Sequence, residues 1–274
     1  MTGNVKDAVA AGPSRITSTL LDMRRRGETA ILPYLTVGHP EKDSLLHVAP
    51  ALVAGGAAMI ELGIPFSDPL GDGPTIQQST HHALLNGVTV DYCLETAREL
   101  RRRRVDVPLI FMGYFNPLLN YGLDRFVSAC VEAGVDGLIL PDLPPVESDE
   151  LYAICRAKGV DLIFMLAPTS TDEQIAGVAA RASGFVYCVS LTGVTGARGE
   201  LSPELPEFIA RVRRQIDLPL VIGFGISEPE HVRRAGELAD GVAVGSAMVH
   251  RLGTTPRERQ PAEMEAYVRY LRGD

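Results

Sequence analysis

The sequence has 274 residues, of which 46% are hydrophobic and 22% charged, so the chain can bury a sizeable core without metals or disulfides. Its net charge of −8 at pH 7 disfavours a nucleic-acid partner, because such a partner needs a basic surface. The four arginines from Arg101 to Arg104 are better interpreted as the solvated last turn of a helix, where cations favour the negative end of the helix dipole.

The N-terminal residues 1–13 predict a flexible extension, and the next segment, SRITSTLLDMRRRG, predicts a helix. A signal peptide is not expected, because Lys6 and Asp7 interrupt the apolar stretch that secretion requires. The scattered cysteines, which lack metal-ligand spacing, fit free thiols in a reducing cytoplasm. They are Cys93, Cys130, Cys155 and Cys188.

The apolar stretch 49–66 approaches the length of a membrane span. Its Gly-Gly pair, Glu61 and Pro65 divide it instead into the end of a helix, a turn and a strand.

Short aliphatic runs alternate with longer amphipathic segments along the chain, which is typical of a parallel sheet. Eight runs predict strands: Ala30 to Gly38, Ala57 to Gly63, Pro108 to Gly113, Asp136 to Asp142, Val160 to Leu166, Gly184 to Ser190, Pro219 to Gly225 and Gly241 to Ser246. With their following helices they predict one closed (β/α)8 barrel, a TIM barrel, forming a single domain over residues 1–274. An open doubly wound sheet remains the alternative, because periodicity does not report closure.

Two long connections lack helical or strand periodicity. They run from Pro65 to Gly73 after the second predicted strand and from Leu191 to Pro203 after the sixth. Long loops in compact domains tend to be functional, and barrel enzymes keep their chemistry at the carboxyl ends of the strands.

Glycines mark the ends of the last two predicted strands. The segments are GFGIS, from Gly223 to Ser227, and GSA, from Gly245 to Ala247. Backbone N–H groups there can approach an anion, and loops after the seventh and eighth strands are the recurrent phosphate site of this fold. The segment GVTGA, from Gly193 to Ala197, could close over the same ligand. Each glycine taken alone could equally be a structural turn residue.

A carboxylate follows the apolar run of the second predicted strand. Glu61 there is either a functional acid with a raised pKa or a structural carboxylate bound by backbone N–H groups. Asp68 and Asp72 lie in the next loop, where we expect them to be more hydrated and to stay ionised.

The sequence lacks the residues that several catalytic mechanisms require. The lysines are Lys6, Lys42 and Lys158, and since none lies at a strand's carboxyl end, a Schiff-base aldolase has no nucleophile. The histidines form no strand-end cluster with carboxylates, which disfavours a metal site. Metal-free acid–base chemistry on a phosphorylated substrate remains.

Tyr187, on the sixth predicted strand, could face the pocket or the core, and an isolated tyrosine favours the core.

Motifs in order along most of the chain resemble the tryptophan synthase alpha chain family. They are PYLTVGHP, ELGIPFSDPLGDGPTIQ, GYFNPLLNYG, LPDLP, YCVSLTGVTGA, GFGIS and VGSA. The resemblance implies metal-free retro-aldol cleavage of indole-3-glycerol phosphate to indole and glyceraldehyde 3-phosphate, with no cofactor in this chain.

The resemblance also implies residue roles. Glu61 corresponds to the general acid/base, Asp72 to the group that holds and deprotonates the indole N–H, and Tyr187 to an active-site tyrosine. Tyr34 corresponds to an aromatic position beside the indole. The phosphate and lid positions correspond to Thr195, Gly196, Gly225, Gly245 and Ser246.

A partner is implied as well, the pyridoxal-phosphate-dependent beta chain, in an alpha-beta-beta-alpha heterotetramer that receives indole through a tunnel. Its contact surface corresponds to Asp68, Pro69, Asn116 and Pro117. A free-standing lyase and a catalytically silent barrel that binds a phosphate ester are the alternatives.

Two positions depart from the family pattern. His39 replaces a commoner Asp or Tyr, and Gly71 stands where alanine is frequent. Because glycine increases loop freedom, Gly71 could loosen the loop that presents Asp72.

Overall fold

Eight parallel strands form a closed barrel in the computed structural model, which describes residues 12–190, 203–223 and 225–274. Neighbours in the ring follow chain order, and β8 pairs with β1. The strands are β1 Ala30–Thr36, β2 Ile60–Gly63, β3 Leu109–Met112, β4 Gly137–Ile139, β5 Asp161–Leu166, β6 Val186–Val189, β7 Leu220–Gly223 and β8 Gly241–Val244. The barrel is confirmed, each strand lies inside its predicted run, and the open sheet is excluded.

Helices cover the outside of the barrel and one of its ends. Those of the described residues are α1 Arg15–Arg25, α2 Ser44–Ala54, α3 Pro74–Leu85, α4 Val90–Arg102, α5 Phe115–Tyr121, α6 Leu123–Ala133, α7 Asp149–Lys158, α8 Asp172–Arg181, α9 Leu205–Arg213, α10 Pro229–Gly236, α11 Ser246–Thr254 and α12 Gln260–Arg272. The apolar stretch 49–66 divides into the end of α2, a turn and β2, as predicted. Within the described ranges no helix is both long and apolar enough to cross a membrane. The predicted extension 1–13 and the connection after β6 lie almost wholly outside these ranges.

Two apolar cores stabilise the barrel, because strands that are buried on both faces send alternate side chains inward and outward. The outward side chains pack against the surrounding helices in the larger core. The inner core fills the ring and contains Leu32, Ile110, Phe185 and Val221. Ile16 from α1 belongs to the same inner core, so α1 closes the amino-terminal end of the barrel.

Three aspartates at the amino-terminal ends of β4, β5 and β8 hold α1 in place. Asp136 lies 3.3 Å from the guanidinium of Arg15, and Asp240 lies 3.6 Å from that of Arg24. Asp161 accepts a hydrogen bond from the Ser14 hydroxyl. The same end therefore carries the polar contacts that stabilise the fold, which leaves the carboxyl end for chemistry.

Arg101 differs from the prediction of a solvated helix end. Its guanidinium donates to the carbonyl oxygens of Val105, Val107 and Gly134, and to Asp136 at 2.6 Å. The backbone passes through the left-handed region at Arg104 just after α4 and brings these carbonyls within reach. The prediction is wrong for Arg101, while Arg102 and Arg103 are exposed and pair with acids on α4, as expected of a solvated turn.

We expect Asp240→Asn to lower the free energy of unfolding by about 2 kcal/mol, the typical contribution of hydrogen bonds to a charged group. The Asp240 carboxylate, 4% exposed, accepts from the Leu220 N–H at 2.8 Å and from Arg213 at 2.5 Å. Urea unfolding measures the change. Asp22→Asn is the control, because the Asp22–Arg25 pair is exposed and contributes little. Equal midpoints for the two variants would contradict this account.

Candidate active site

A cavity of about 240 Å³ opens at the carboxyl ends of the strands. Its wall comes from β1, β2, β3, β6 and the segments after β2, β7 and β8. The lining residues are Tyr34, Glu61, Asp72, Gly73, Ile76, Met112, Tyr187, Gly225, Ile226, Ser227, Gly245, Ser246 and Ala247. Seven residues that the resemblance placed in the site are thus brought together.

Glu61 is a buried acid in the wall of this cavity. It lies on β2 in register with Tyr34 on β1 and Ile110 on β3, and it is 1% exposed. Among the described residues neither of its carboxylate oxygens has a hydrogen-bond partner. The alternative of a structural carboxylate bound by backbone N–H groups therefore finds no support there. Burial raises the pKa of Glu61 to about 8, so the side chain carries a proton at neutral pH.

The two loop aspartates have different environments. Asp68 is exposed and accepts a hydrogen bond from its neighbour Ser67, whereas Asp72 is partly buried and lines the cavity. Burial raises the pKa of Asp72, and a hydrogen bond from the Tyr114 hydroxyl lowers it. Both aspartates are more exposed than Glu61, as expected, although Asp72 is partly buried.

Two tyrosines form parts of the cavity wall by the same arrangement, in which the ring packs over a glycine of the next strand. Tyr34 on β1 leans over Gly63 of β2, and a Cβ atom at Gly63 would lie 2.2 Å from the Tyr34 hydroxyl oxygen. Tyr187 on β6 leans over Gly223 of β7, where the corresponding distance is 2.0 Å. In each pair the glycine lies two residues beyond the register partner of the tyrosine. The rings fit because the neighbouring strand carries no side chain at that point.

Tyr187 belongs to both the core and the pocket, the two positions that the sequence left open. The residue is 5% exposed and packs in the inner core, yet it lines the cavity. Burial raises the pKa of its hydroxyl well above the ordinary value, and the nearby Glu61 and Asp72 add to the effect. Tyr187 therefore stays protonated in the working pH range.

The Tyr34 hydroxyl belongs to a buried chain of hydroxyl groups. Ser79 donates to the Ile76 carbonyl at 2.8 Å, and its oxygen lies 2.7 Å from that of Thr36, which lies 3.4 Å from that of Tyr34. The three hydroxyls form a continuous buried chain that holds the Tyr34 hydroxyl beside β1.

The glycine-containing segments after β7 and β8 line the same cavity as the acids. Helix α11 begins at Ser246, its first turn carries no acidic side chain, and Gly245 precedes it. Gly225 adopts a φ of +81°, which favours glycine. Free backbone N–H groups at the start of a helix and in a glycine segment of this kind can bind an anion. Two further predicted positions, Thr195 and Gly196, lie outside the described residues.

The predicted partner-facing residues lie near the rim of the barrel end and outside the cavity lining. Asp68 and Asn116 are exposed, and Pro69 and Pro117 are half-buried. Two large apolar side chains beside them are exposed, Leu70 by 91% and Leu119 by 52%. This combination of polar and apolar groups is suited to a protein contact.

The sequence reasoning missed one polar residue of the site, Tyr114. It follows β3 inside the quoted motif GYFNPLLNYG, so its strand-end position was a usable signal. Among the described residues no group of three or more His, Cys, Asp or Glu side chains is placed to hold a metal. His39 instead contacts His82, with Nδ1 atoms 3.2 Å apart, beyond the lining of the cavity.

Fold and site together define a barrel enzyme whose cavity holds a buried carboxylic acid and glycine-rich strand ends suited to an anion. The family model for the tryptophan synthase alpha chain matches residues 20–272. The tryptophan synthase alpha chain of Roseiflexus sp. (strain RS-1) is 54% identical over 95% of this chain and 100% of that protein, and that of Chloroflexus aurantiacus is 52% identical over 94% and 97%. A crystal structure of tryptophan synthase subunit alpha from Legionella pneumophila superposes with a TM-score of 0.87 at 33% identity, covering 96% of this chain and 98% of that one.

The chain belongs to the tryptophan synthase alpha chain family. Members of this family are lyases that cleave indole-3-glycerol phosphate.

We expect Glu61→Gln to stabilise the fold above pH 5. The unfolded chain loses the Glu61 proton near pH 4.5 and the folded chain at about 8. Between these values the unfolded state binds fewer protons, so wild-type stability falls as pH rises. From pH 5 to pH 8 the stability advantage of the glutamine variant should grow by roughly 3 kcal/mol. Urea unfolding at both pH values measures it, with the exposed Glu258→Gln as control. Parallel pH curves for wild type and variant would contradict the buried, protonated acid.

Proposed function

We propose that this chain cleaves indole-3-glycerol phosphate to indole and glyceraldehyde 3-phosphate, with Glu61 as the proton shuttle. The observation that carries the proposal is a carboxyl group that is 1% exposed, has no hydrogen-bond partner among the described residues and holds its proton to about pH 8. Such a group can donate a proton at neutral pH and then act as a base.

The proposed steps balance within this chain. Glu61 gives its proton to indole C3 while Asp72 takes the proton from the indole N–H. The Glu61 carboxylate then takes the proton of the glycerol hydroxyl next to the ring. The bond between C3 and the glycerol carbon breaks, its electron pair enters the ring, the aldehyde forms, and the N–H proton returns from Asp72. No metal, cofactor or lysine imine takes part in these steps.

The environment of Asp72 supports its role. Its carboxylate accepts from Tyr114 at 3.2 Å, which favours the ionised form that can bind an N–H group. Tyr34 and Tyr187 would enclose the indole, and the start of α11 with Gly225 and Gly245 would bind the phosphate. Thr195 and Gly196 complete the proposed lid and phosphate contacts by resemblance.

We also propose that the rim formed by Asp68, Pro69, Asn116 and Pro117 binds the tryptophan synthase beta chain in an alpha-beta-beta-alpha complex. Pyridoxal phosphate belongs to the beta chain, which would receive indole through a tunnel. The exposed Leu70 and Leu119 support a protein contact on this rim. A free-standing lyase would work without that partner.

Four buried free cysteines support location in the cytoplasm, where thiols stay reduced.

Glu61→Gln and Asp72→Asn should each remove most of the turnover, at least about a hundredfold, while ligand affinity changes little, because both groups act mainly in the transition state. In the wild type, kcat/KM should fall as pH rises through about 8, where Glu61 loses its proton. Steady-state indole release and binding of an unreactive substrate analogue provide the measurements.

Asp106→Asn is the control for these variants, because Asp106 is exposed on the loop that enters β3 at the opposite end of the barrel. Raised dissociation constants with normal turnover would contradict the catalytic roles. Unchanged indole release in Glu61→Gln would favour the silent phosphate-binding barrel.

Addition of a beta chain should raise the turnover of indole-3-glycerol phosphate. Leu119→Asp should weaken the complex at least about tenfold, because Leu119 lies one helical turn from Asn116 on α5 and a carboxylate there would be desolvated. Val131→Asp on α6 is the control, since Val131 is similarly exposed, at 47%, but lies outside the rim. An isolated chain already working at full rate would support the free-standing lyase.

A further inference from the structure

One hydroxyl group binds two consecutive residues of the loop that presents Asp72. The Tyr114 oxygen accepts a hydrogen bond from the Gly71 N–H at 3.0 Å and donates one to Asp72 Oδ2 at 3.2 Å. The backbone and the carboxylate of this part of the loop are therefore fixed to the same atom.

Tyr114 is itself well anchored. It is 7% exposed and its ring packs against Phe66, with centroids 5.3 Å apart and planes inclined by 32°. The next residue, Phe115, donates its N–H to both carboxylate oxygens of Asp142 at 3.0 Å. Phe66 belongs to the Asp72 loop and Asp142 to the segment after β4, so residues 114 and 115 link the segments that follow β2, β3 and β4.

Gly71 leaves the room that this arrangement needs. A Cβ atom at position 71 would lie 3.3 Å from the Tyr114 hydroxyl oxygen, closer than ordinary van der Waals contact, and its next neighbour would be Pro141 at 4.0 Å. With an alanine at position 71, the hydroxyl that binds Asp72 would have to shift by a few tenths of an ångström. The glycine, which the sequence alone suggests would loosen the loop, instead permits a close contact that holds it.

We infer that Tyr114 is a positioning residue that orients the Asp72 carboxylate for the indole N–H, and that Gly71 lets the Tyr114 hydroxyl approach without crowding. The inference rests on the proposed role of Asp72. Tyr114 is not among the residues that line the main cavity; it lines a small adjoining pocket with Asp72, which places it to act through Asp72. Its bond uses Oδ2, and Oδ1 is the oxygen that we assign to the indole N–H.

The bond also bears on the charge of Asp72. Burial raises the pKa of this carboxyl, while the Tyr114 hydroxyl lowers it by stabilising the ionised form. Loss of the hydroxyl should therefore raise the pKa of Asp72, which gives the positioning role a readout that a general loss of packing would not produce.

Tyr114→Phe tests the inference, with Tyr121→Phe as a matched control. Tyr121 is the last residue of α5, the helix that begins directly after Tyr114, and it donates a similar bond to Asp91 at 2.9 Å, away from the cavity. We expect Tyr114→Phe to lower kcat about tenfold, the size of one hydrogen bond to a charged group, with little change in KM. The acidic limb of the pH–kcat/KM profile should move to higher pH. Tyr121→Phe should change neither quantity.

Gly71→Ala adds a second test through a double-mutant cycle. Alone it should lower kcat severalfold, because its methyl group crowds the Tyr114 hydroxyl. In the Tyr114→Phe background the same substitution should have little further effect, since the crowded atom is gone. Additive losses would overturn the proposed link between Gly71 and Tyr114.

Three outcomes separate this inference from the proposed function. If Asp72→Asn keeps normal turnover, the role of Asp72 itself fails and the positioning role fails with it. If Asp72→Asn is inactive but Tyr114→Phe works at the wild-type rate, the positioning role alone is overturned. If Tyr114→Phe is slow and its acidic limb does not move, the hydroxyl has only a structural role and the inference is likewise overturned.

Discussion

Closure of eight parallel strands into a ring is the constraint on which the rest of this structure depends. It brings the carboxyl ends of all the strands to one edge, so residues as distant in the chain as Tyr34, Glu61, Tyr187 and Ser246 line a single cavity. It also separates two tasks. The amino-terminal end is stabilised by Asp136, Asp161 and Asp240, whereas the carboxyl end holds groups whose polar atoms are left for a ligand.

The same separation explains why Glu61 can exist in this fold. A buried acid that lacks partners among the described residues costs stability, because its ionised form is excluded from water. The inner core and the ion pairs of the opposite end offset that cost. The buried position then keeps Glu61 protonated where an exposed glutamate would be ionised. Desolvation of Glu61 thus both lowers the stability of the fold and keeps the side chain protonated for its acid–base chemistry.

Sequence reasoning reached the architecture because strand and helix periodicity depend on local composition. Each strand lies inside its predicted run, and Glu61 and Asp72 lie where strand-end position and resemblance placed them. What it missed depends on contacts between distant segments. The bonds of Arg101 to Gly134 and Asp136, the partial burial of Asp72 and its bond to Tyr114 all arise only when segments from different strands meet. Neither composition nor spacing contains those distances.

The paired tyrosines and glycines of the cavity wall have a consequence for how this site can change. Each ring occupies the volume that a side chain on the next strand would otherwise fill, as Tyr34 does over Gly63 and Tyr187 over Gly223. A side chain at position 63 or 223 requires a smaller residue at 34 or 187, so positions 34 and 63 should covary among relatives, and so should 187 and 223. Remodelling of the pocket for a larger or smaller ring system therefore proceeds by exchange of whole pairs across neighbouring strands.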